Sequence, residues 1–291
     1  MIPIDDRDGF IWMDGTLHPW RAVSIHVLTH GMHYGGCVFE GERAYDGRVF
    51  KLREHTKRLF RSADLLGMQV PYTMDEIDAA TAETLAANKL TDAYIRPVIW
   101  RGSKKMGLAP DPADIRVAIA CWSWGKYLQP KDGPGTGLSL KTSRWRRMDP
   151  QSFPVEAKAA GVYAVGILAQ AEAAQAGFDD ALMLDLQGNV AEATVANLFA
   201  VFDGVLKTPK PGGFLNGITR QTVIALARDK GITVEECVMT PAEFVKADEM
   251  FLTGTAAEIE SIGRIDDHKI PLGPMTKQLQ EAYSALVRRK G

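Results

Sequence analysis

The chain has almost no net charge: 34 lysines and arginines stand against 36 aspartates and glutamates in 291 residues, a formal charge of -2. So weak a field recruits neither nucleic acid nor an anionic membrane, and any anionic ligand has to be held by local geometry. Cysteine is scarce too. Cys37, Cys121 and Cys237 are far apart, odd in number and without metal-ligand spacing. That pattern offers no metal site and fits a reducing, cytoplasmic compartment better than a disulfide framework. No run of about 18 apolar residues is present, and the opening MIPIDDRDGF carries three acids instead of an apolar signal region. Also missing are a GxGxxG after a strand and a Walker A sequence, which excludes a doubly wound nucleotide fold.

What is present suits a soluble protein, 46% apolar and long enough for two domains. The first part opens with short strands broken at Asp-Gly pairs, as in CVFEGERAYDGRVFKL, where Asp46-Gly47 makes a hairpin turn. Two helices follow. In EHTKRLFRSADLLG the apolar positions recur at helical spacing up to Gly67, and TMDEIDAATAETLAANKL starts with the capping box Thr73–Glu76. Two further strands, AYIRPVIW and IRVAIACW, end this part, which spans residues 1–124 as a smaller α/β domain. Gly and Pro concentrate in 125–137, the interdomain linker. Over 138–291, short strands with tight turns, a helix read over Ala157–Gly177 and a later one in ITRQTVIALARDKG predict a larger domain with a curved, barrel-like sheet and outer helices. The fold class is therefore α+β.

Several residues invite chemistry. Gly217, Ile218 and Thr219 open a helix whose free N–H groups favour a phosphate, and Thr253-Gly254-Thr255 followed by Ala256 forms a second small-residue turn. Arg58 adds a forked cation. Each of these, taken alone, is also what an ordinary helix start or a solvated arginine looks like. Lys158 sits among Ala157, Ala159, Ala160 and Gly161, which leave room for a flat ring. An amine nucleophile works deprotonated, and apolar burial favours that form. Glu192 is a carboxylate suited to a protonated pyridine nitrogen, or a strand-end acid in water. Tyr94 and Arg96, two apart on one strand, project together as a carboxylate-recognising pair, although Pro97 reads as an edge-strand residue. Trp124 and Tyr127 wall an apolar pocket or pack the domains together.

Taken together, HYGGCVFEG, REHTKRL, AYIRP, SWGKYL, VEAKAAGVY, VAEATVANLF, LNGITR and LTGTAAEI resemble, in order and spacing, the fold-type IV pyridoxal-phosphate aminotransferases, and among them the branched-chain amino-acid aminotransferases. The resemblance covers nearly the whole chain. It implies that Lys158 anchors pyridoxal 5'-phosphate and shuttles the α-proton, that Glu192 holds the ring nitrogen and Tyr163 the ring hydroxyl, and that Arg58, Ile218, Thr219 and Thr255 hold the phosphate. Substrate would meet Tyr94, Thr255 and Ala256 at its α-carboxylate, and Phe39, Trp124, Tyr127 and Tyr163 around its side chain. Arg96 with Tyr34 would take the distal carboxylate of glutamate. Tyr34 and the loop near Leu108 reach the neighbouring subunit's site or the domain interface in this family, so a homodimer or higher homo-oligomer is expected.

The reaction so implied moves an amino group between L-leucine, isoleucine or valine and 2-oxoglutarate. D-amino-acid aminotransferase and aminodeoxychorismate lyase share the fold and are the enzymatic alternatives; a non-catalytic binder of a phosphorylated ligand is the other. Two departures stand out. Glu42 occupies a position that is commonly isoleucine in the family, and beside Arg43 it predicts altered polarity near Arg96. EATVANLF is also poorer in glycine and serine than its counterparts.

Overall fold

The computed structural model describes residues 3–109, 111–112, 114–125 and 128–289. The chain forms two compact units, one of Met1–Gly125 with Ala157–Gly161, the other of Lys126–Glu156 with Val162–Gly291.

The first unit contains, in chain order, β1 (Phe10–Met13), β2 (Thr16–Pro19), α1 (His30–Tyr34), β3 (Cys37–Phe39), β4 (Glu42–Tyr45), β5 (Arg48–Val49), α2 (Leu52–Leu65), α3 (Met74–Ala87), β6 (Ala93–Arg101) and β7 (Ile115–Trp122). Its strands make a seven-stranded sheet ordered β2-β1-β7-β6-β4-β5, with β3 also on β6. The tight turns lie at Asp14-Gly15 and Asp46-Gly47, all four with positive φ, which is why Asp and Gly occupy them. α2 buries Leu59 and Ala63 as its periodicity requires, and Gly67 (φ 64) follows its end. The capping box of Thr73 and Glu76 starts α3.

Pro97 is not on an edge. β6 pairs with β7 on one side and with β3 and β4 on the other, and Pro97 falls where β3 stops at Phe39 and β4 resumes at Glu42. The missing N–H costs nothing in that gap, and the Pro97 carbonyl still accepts from Glu40 N at 2.9 Å.

The second unit contains β8 (Leu138–Arg146), α4 (Tyr163–Gln175), β9 (Asp180–Leu184), β10 (Val190–Ala193), β11 (Asn197–Phe202), β12 (Val205–Pro209), α5 (Ile218–Asp229), β13 (Val234–Cys237), α6 (Pro241–Phe244), β14 (Glu249–Gly254), β15 (Glu258–Ile265), β16 (His268–Lys269) and α7 (Pro274–Val287). A nine-stranded sheet runs β10-β9-β8-β15-β14-β11-β12-β13, with β16 on β15. It curls until its ends meet: Val190 N, at the start of β10, donates to the Met239 carbonyl just beyond β13 at 2.8 Å. Leu138, Leu140, Leu182, Leu198, Leu252 and Ile262 fill its core.

The helix read over Ala157–Gly177 begins later than the alanine-rich composition predicts. Ala157–Ala159 is not helical; a short 3-10 turn spans Ala160–Val162 and the α-helix proper begins at Tyr163. Tertiary bonds override propensity here. The Lys158 N–H donates to Ser62 Oγ (2.9 Å), its carbonyl accepts from Phe39 N (3.0 Å), and Ala159 bridges Val38, so the segment lies against β3.

Candidate active site

In the first unit, Lys158 is held at its backbone on both sides by the bonds to Ser62 and Phe39. Ala157 and Ala159 on either side of it are 2% and 0% exposed. Its Nζ lies 5.0 Å from the centroid of the Phe39 ring, and the Arg96 guanidinium lies 4.5 Å from the same centroid. One aromatic ring therefore lies beside both side chains. Arg96 Nη2 also donates to the Tyr94 hydroxyl at 2.9 Å. Tyr94 in turn meets Trp124 edge-on at 4.6 Å and Trp122 at 5.2 Å. Gly41 makes this cluster possible, because a Cβ there would collide with the Tyr94 hydroxyl. Tyr34 and Leu108 are exposed, and His30 joins their segments: its ring packs on Tyr34 at 4.7 Å and its Nε2 bonds the Gly107 carbonyl at 3.0 Å. Tyr127 lies outside the described residues.

Arg58 reaches the same unit from α2. Its Nε and Nη2 donate to the two oxygens of Glu40 at 2.6 and 2.8 Å, and His55 Nδ1 bonds Glu40 Oε2 at 2.7 Å. Burial opposes ionisation of Glu40, but Arg58 and His55 prevail and hold the carboxyl well below the usual carboxylate range. His55 is pushed down, chiefly by burial, against the pull of Glu40.

Glu42 does not touch the polarity near Arg96 in the way its sequence neighbourhood predicts. It pairs opposite Ile95 whereas Arg43 pairs opposite Tyr94, so Glu42 points to the other face of the sheet. There it is 1% exposed, its Oε2 has no hydrogen-bond partner, and burial together with Glu40 and Asp78 pushes its carboxyl well above the ordinary range.

In the second unit, β10 carries Glu192 into the interior. Arg147 Nη2 pairs with its Oε1 at 2.5 Å and Asn197 Nδ2 donates to its Oε2 at 3.2 Å, with Arg147 and Glu192 both nearly buried. Gly217 is the N-cap of α5 and offers no side-chain cap, leaving the first-turn amides of Ile218 and Thr219 without the usual competitor. A Cβ on Gly217 would run into Asn197 Oδ1. The turn Thr255–Ala257 joins β14 to β15, with Thr255 and Ala256 half-buried. Tyr163 begins α4 and lines a cavity of about 410 Å³ with Gly166, Gln170, Asp180 and Thr194. Asp180 is pushed up to about 6 by burial.

The amino-transferase class IV family matches residues 37–265. The chain belongs to that family. The branched-chain-amino-acid aminotransferase of Pseudomonas aeruginosa is 45% identical to it over 98% of this chain and 95% of its own. A crystal structure of a T.th. branched-chain amino acid aminotransferase with pyridoxamine 5'-phosphate superposes with a TM-score of 0.93 at 40% identity, covering 97% of this chain and 96% of that one. The same enzyme complexed with N-(5'-phosphopyridoxyl)-L-glutamate gives 0.91 at 39%, with the same coverage.

In this class IV aminotransferase, the sequence motifs named Arg58 and Glu192 but not the groups that hold them. Glu40 and His55 had a faint signal, an acid inside CVFEGERAY and a histidine three residues before Arg58 on the buried face of α2. Arg147 had none, being the third arginine of RWRR, and Asn197 reads as the polar start of an apolar strand.

Proposed function

We propose that this chain is a pyridoxal 5'-phosphate-dependent transaminase that exchanges the amino group between L-branched-chain amino acids and 2-oxoglutarate. The observation that carries the reading is Lys158, clamped by its own backbone to Ser62 and Phe39 so that a short, apolar segment presents a primary amine at a fixed place. The donor set fits the cofactor: a carboxylate held by Arg147 for a ring nitrogen, a phenol at Tyr163 for a ring hydroxyl, and an uncapped α5 start beside a glycine that no Cβ could replace. When bound, pyridoxal phosphate supplies the electron sink that makes an α-proton removable.

The chain's own residues do the rest. Lys158 Nζ holds the cofactor and carries the proton to and from the substrate's α-carbon. Glu192 fixes the ring nitrogen's charge, and Arg58, Ile218, Thr219 and Thr255 bind phosphate. Arg58 arrives pre-aimed, since Glu40 engages two of its nitrogens. Tyr94, with the amides of Thr255 and Ala256, orients the α-carboxylate. Phe39, Trp124 and Tyr163 exclude water around an apolar side chain, and Arg96 with Tyr34 takes a distal carboxylate. The relative solved with a phosphopyridoxyl-glutamate ligand supports glutamate as the shared amino donor. The exposed Met32, Tyr34, Met106 and Leu108 support a homodimer. No helix among the described residues is long and apolar enough to cross a membrane, which suits a cytoplasmic enzyme.

The test is the absorption spectrum of the purified protein with pyridoxal 5'-phosphate, before and after L-leucine or D-alanine. A visible band that L-leucine alone converts to the amine form of the cofactor is expected. Conversion by D-alanine alone would replace the substrate assignment with a D-specific one, and absence of a band would overturn the cofactor itself.

A further inference from the structure

Asn197 occupies a junction that no motif singled out. It is 5% exposed at the start of β11, where it pairs with Thr253, two residues before Thr255. Its amide makes three bonds: Oδ1 accepts from Gly217 N at 3.1 Å, while Nδ2 donates to the Leu215 carbonyl at 3.0 Å and to Glu192 Oε2 at 3.2 Å. An asparagine amide offers two N–H donors and an oxygen that can accept twice; here both donors and the oxygen are engaged. The partners also set its orientation. A flipped amide would aim its donors at the Gly217 N–H and its oxygen at a carbonyl and a carboxylate. Gly217 contributes by absence, because its missing Cβ is where Asn197 Oδ1 sits.

We infer that Asn197 is a positioning residue that ties the carboxylate for the cofactor's ring nitrogen to the helix start for its phosphate, setting the separation between the two. The inference rests on the cofactor reading above. Arg147 meets Glu192 at Oε1, and Arg220 holds the other side of the loop by donating to Asn216 Oδ1 at 3.0 Å and to the Pro209 carbonyl at 3.0 Å. Of the groups holding these two ends, Asn197 bonds both. Serine at 197 is too short to span Leu215, Gly217 and Glu192 together. Aspartate keeps the acceptor for Gly217 N–H, loses both donors and sets a second negative charge against Glu192.

The experiment measures pyridoxal 5'-phosphate affinity of the apo-protein by titration, and the melting temperature of the same apo samples, for wild type, Asn197→Ser, Asn197→Asp, Glu192→Gln and the double variant N197S/E192Q. Both Asn197 variants should bind at least about tenfold more weakly, Asp more so than Ser, from the lost bonds to a charged group. The double variant should lose less than the sum of the singles, because Asn197 acts partly through Glu192. Wild-type affinity in both Asn197 variants overturns the inference, as does a lowered apo melting temperature with unchanged affinity, or strict additivity with E192Q. A wild-type protein that binds no pyridoxal phosphate overturns the proposed function and this inference with it.

Discussion

Glu40 and Arg58 form a two-point ion pair in the interior of the first unit, Nε to Oε1 at 2.6 Å and Nη2 to Oε2 at 2.8 Å, with the Glu40 side chain fully buried. The pair does for Arg58 what sequence motifs leave open: it gives a long, flexible cation one direction. Glu40→Gln removes the charge and one acceptor, and leaves a mostly buried guanidinium with less than half its partner. The expected result is a loss of about 3–5 kcal/mol in stability, read by chemical denaturation, together with weaker cofactor binding.

Glu40 and Glu42 titrate in opposite senses, two residues apart on the chain. Glu40 is held below its ordinary range, so its contribution is present above the unfolded carboxylate value of about 4.3 and is lost as pH falls toward its folded value. Glu42 is raised, so the native state keeps a proton that the unfolded state gives up, and stability declines as pH rises past about 4.3 toward its folded value. Replacement by isoleucine or glutamine should therefore stabilise the protein at neutral pH, by about 1–3 kcal/mol. The gain should shrink toward pH 4 in denaturation midpoints. A gain independent of pH would assign Glu42 a packing defect instead of a titration cost.

Lys158→Ala should lower transamination by at least about 10⁴-fold, since in the proposed function one substitution would remove both the amine that anchors the cofactor and the group that moves the α-proton. Some cofactor should remain bound without a covalent link, because Glu192, Tyr163 and the α5 start are untouched. Single-turnover assays with L-leucine check the first point and dialysis checks the second; wild-type turnover would refute the assignment.

Arg96→Ala should raise the Michaelis constant for 2-oxoglutarate about tenfold or more while changing that for 2-oxoisocaproate far less. Its bond to the Tyr94 hydroxyl and its position over Phe39 give Arg96 a fixed direction. Equal losses for the two oxo acids would show that removing Arg96 disturbs the aromatic cluster as a whole.

Much of the architecture is local and therefore readable in the chain. Asp46-Gly47 turns because both residues tolerate positive φ, Thr73 and Glu76 cap α3 from three residues apart, and Tyr94 and Arg96 share a face because strands alternate. Local rules failed at two places. Pro97 signals an edge, yet it sits mid-sheet because two short strands share one flank of β6 and leave a gap at its level. Ala157–Ala159 looks helical, yet Ser62 and Phe39, distant in sequence, compete for its backbone bonds and win.

By itself the sequence determined which groups are available: an amine in small apolar surroundings, a helix start without a cap, a carboxylate at a strand end, an arginine on a helix. Those depend on residue type and on neighbours within one turn or one strand. Tertiary structure alone decided their company and charge. It set Glu40 on Arg58 and His55 on Glu40, Arg147 and Asn197 on Glu192, and Glu42 on the face of the sheet away from Arg96. Hydrogen bonds and ion pairs are short-ranged and directional, so partners separated by up to tens of residues meet only once strand register and helix packing are complete.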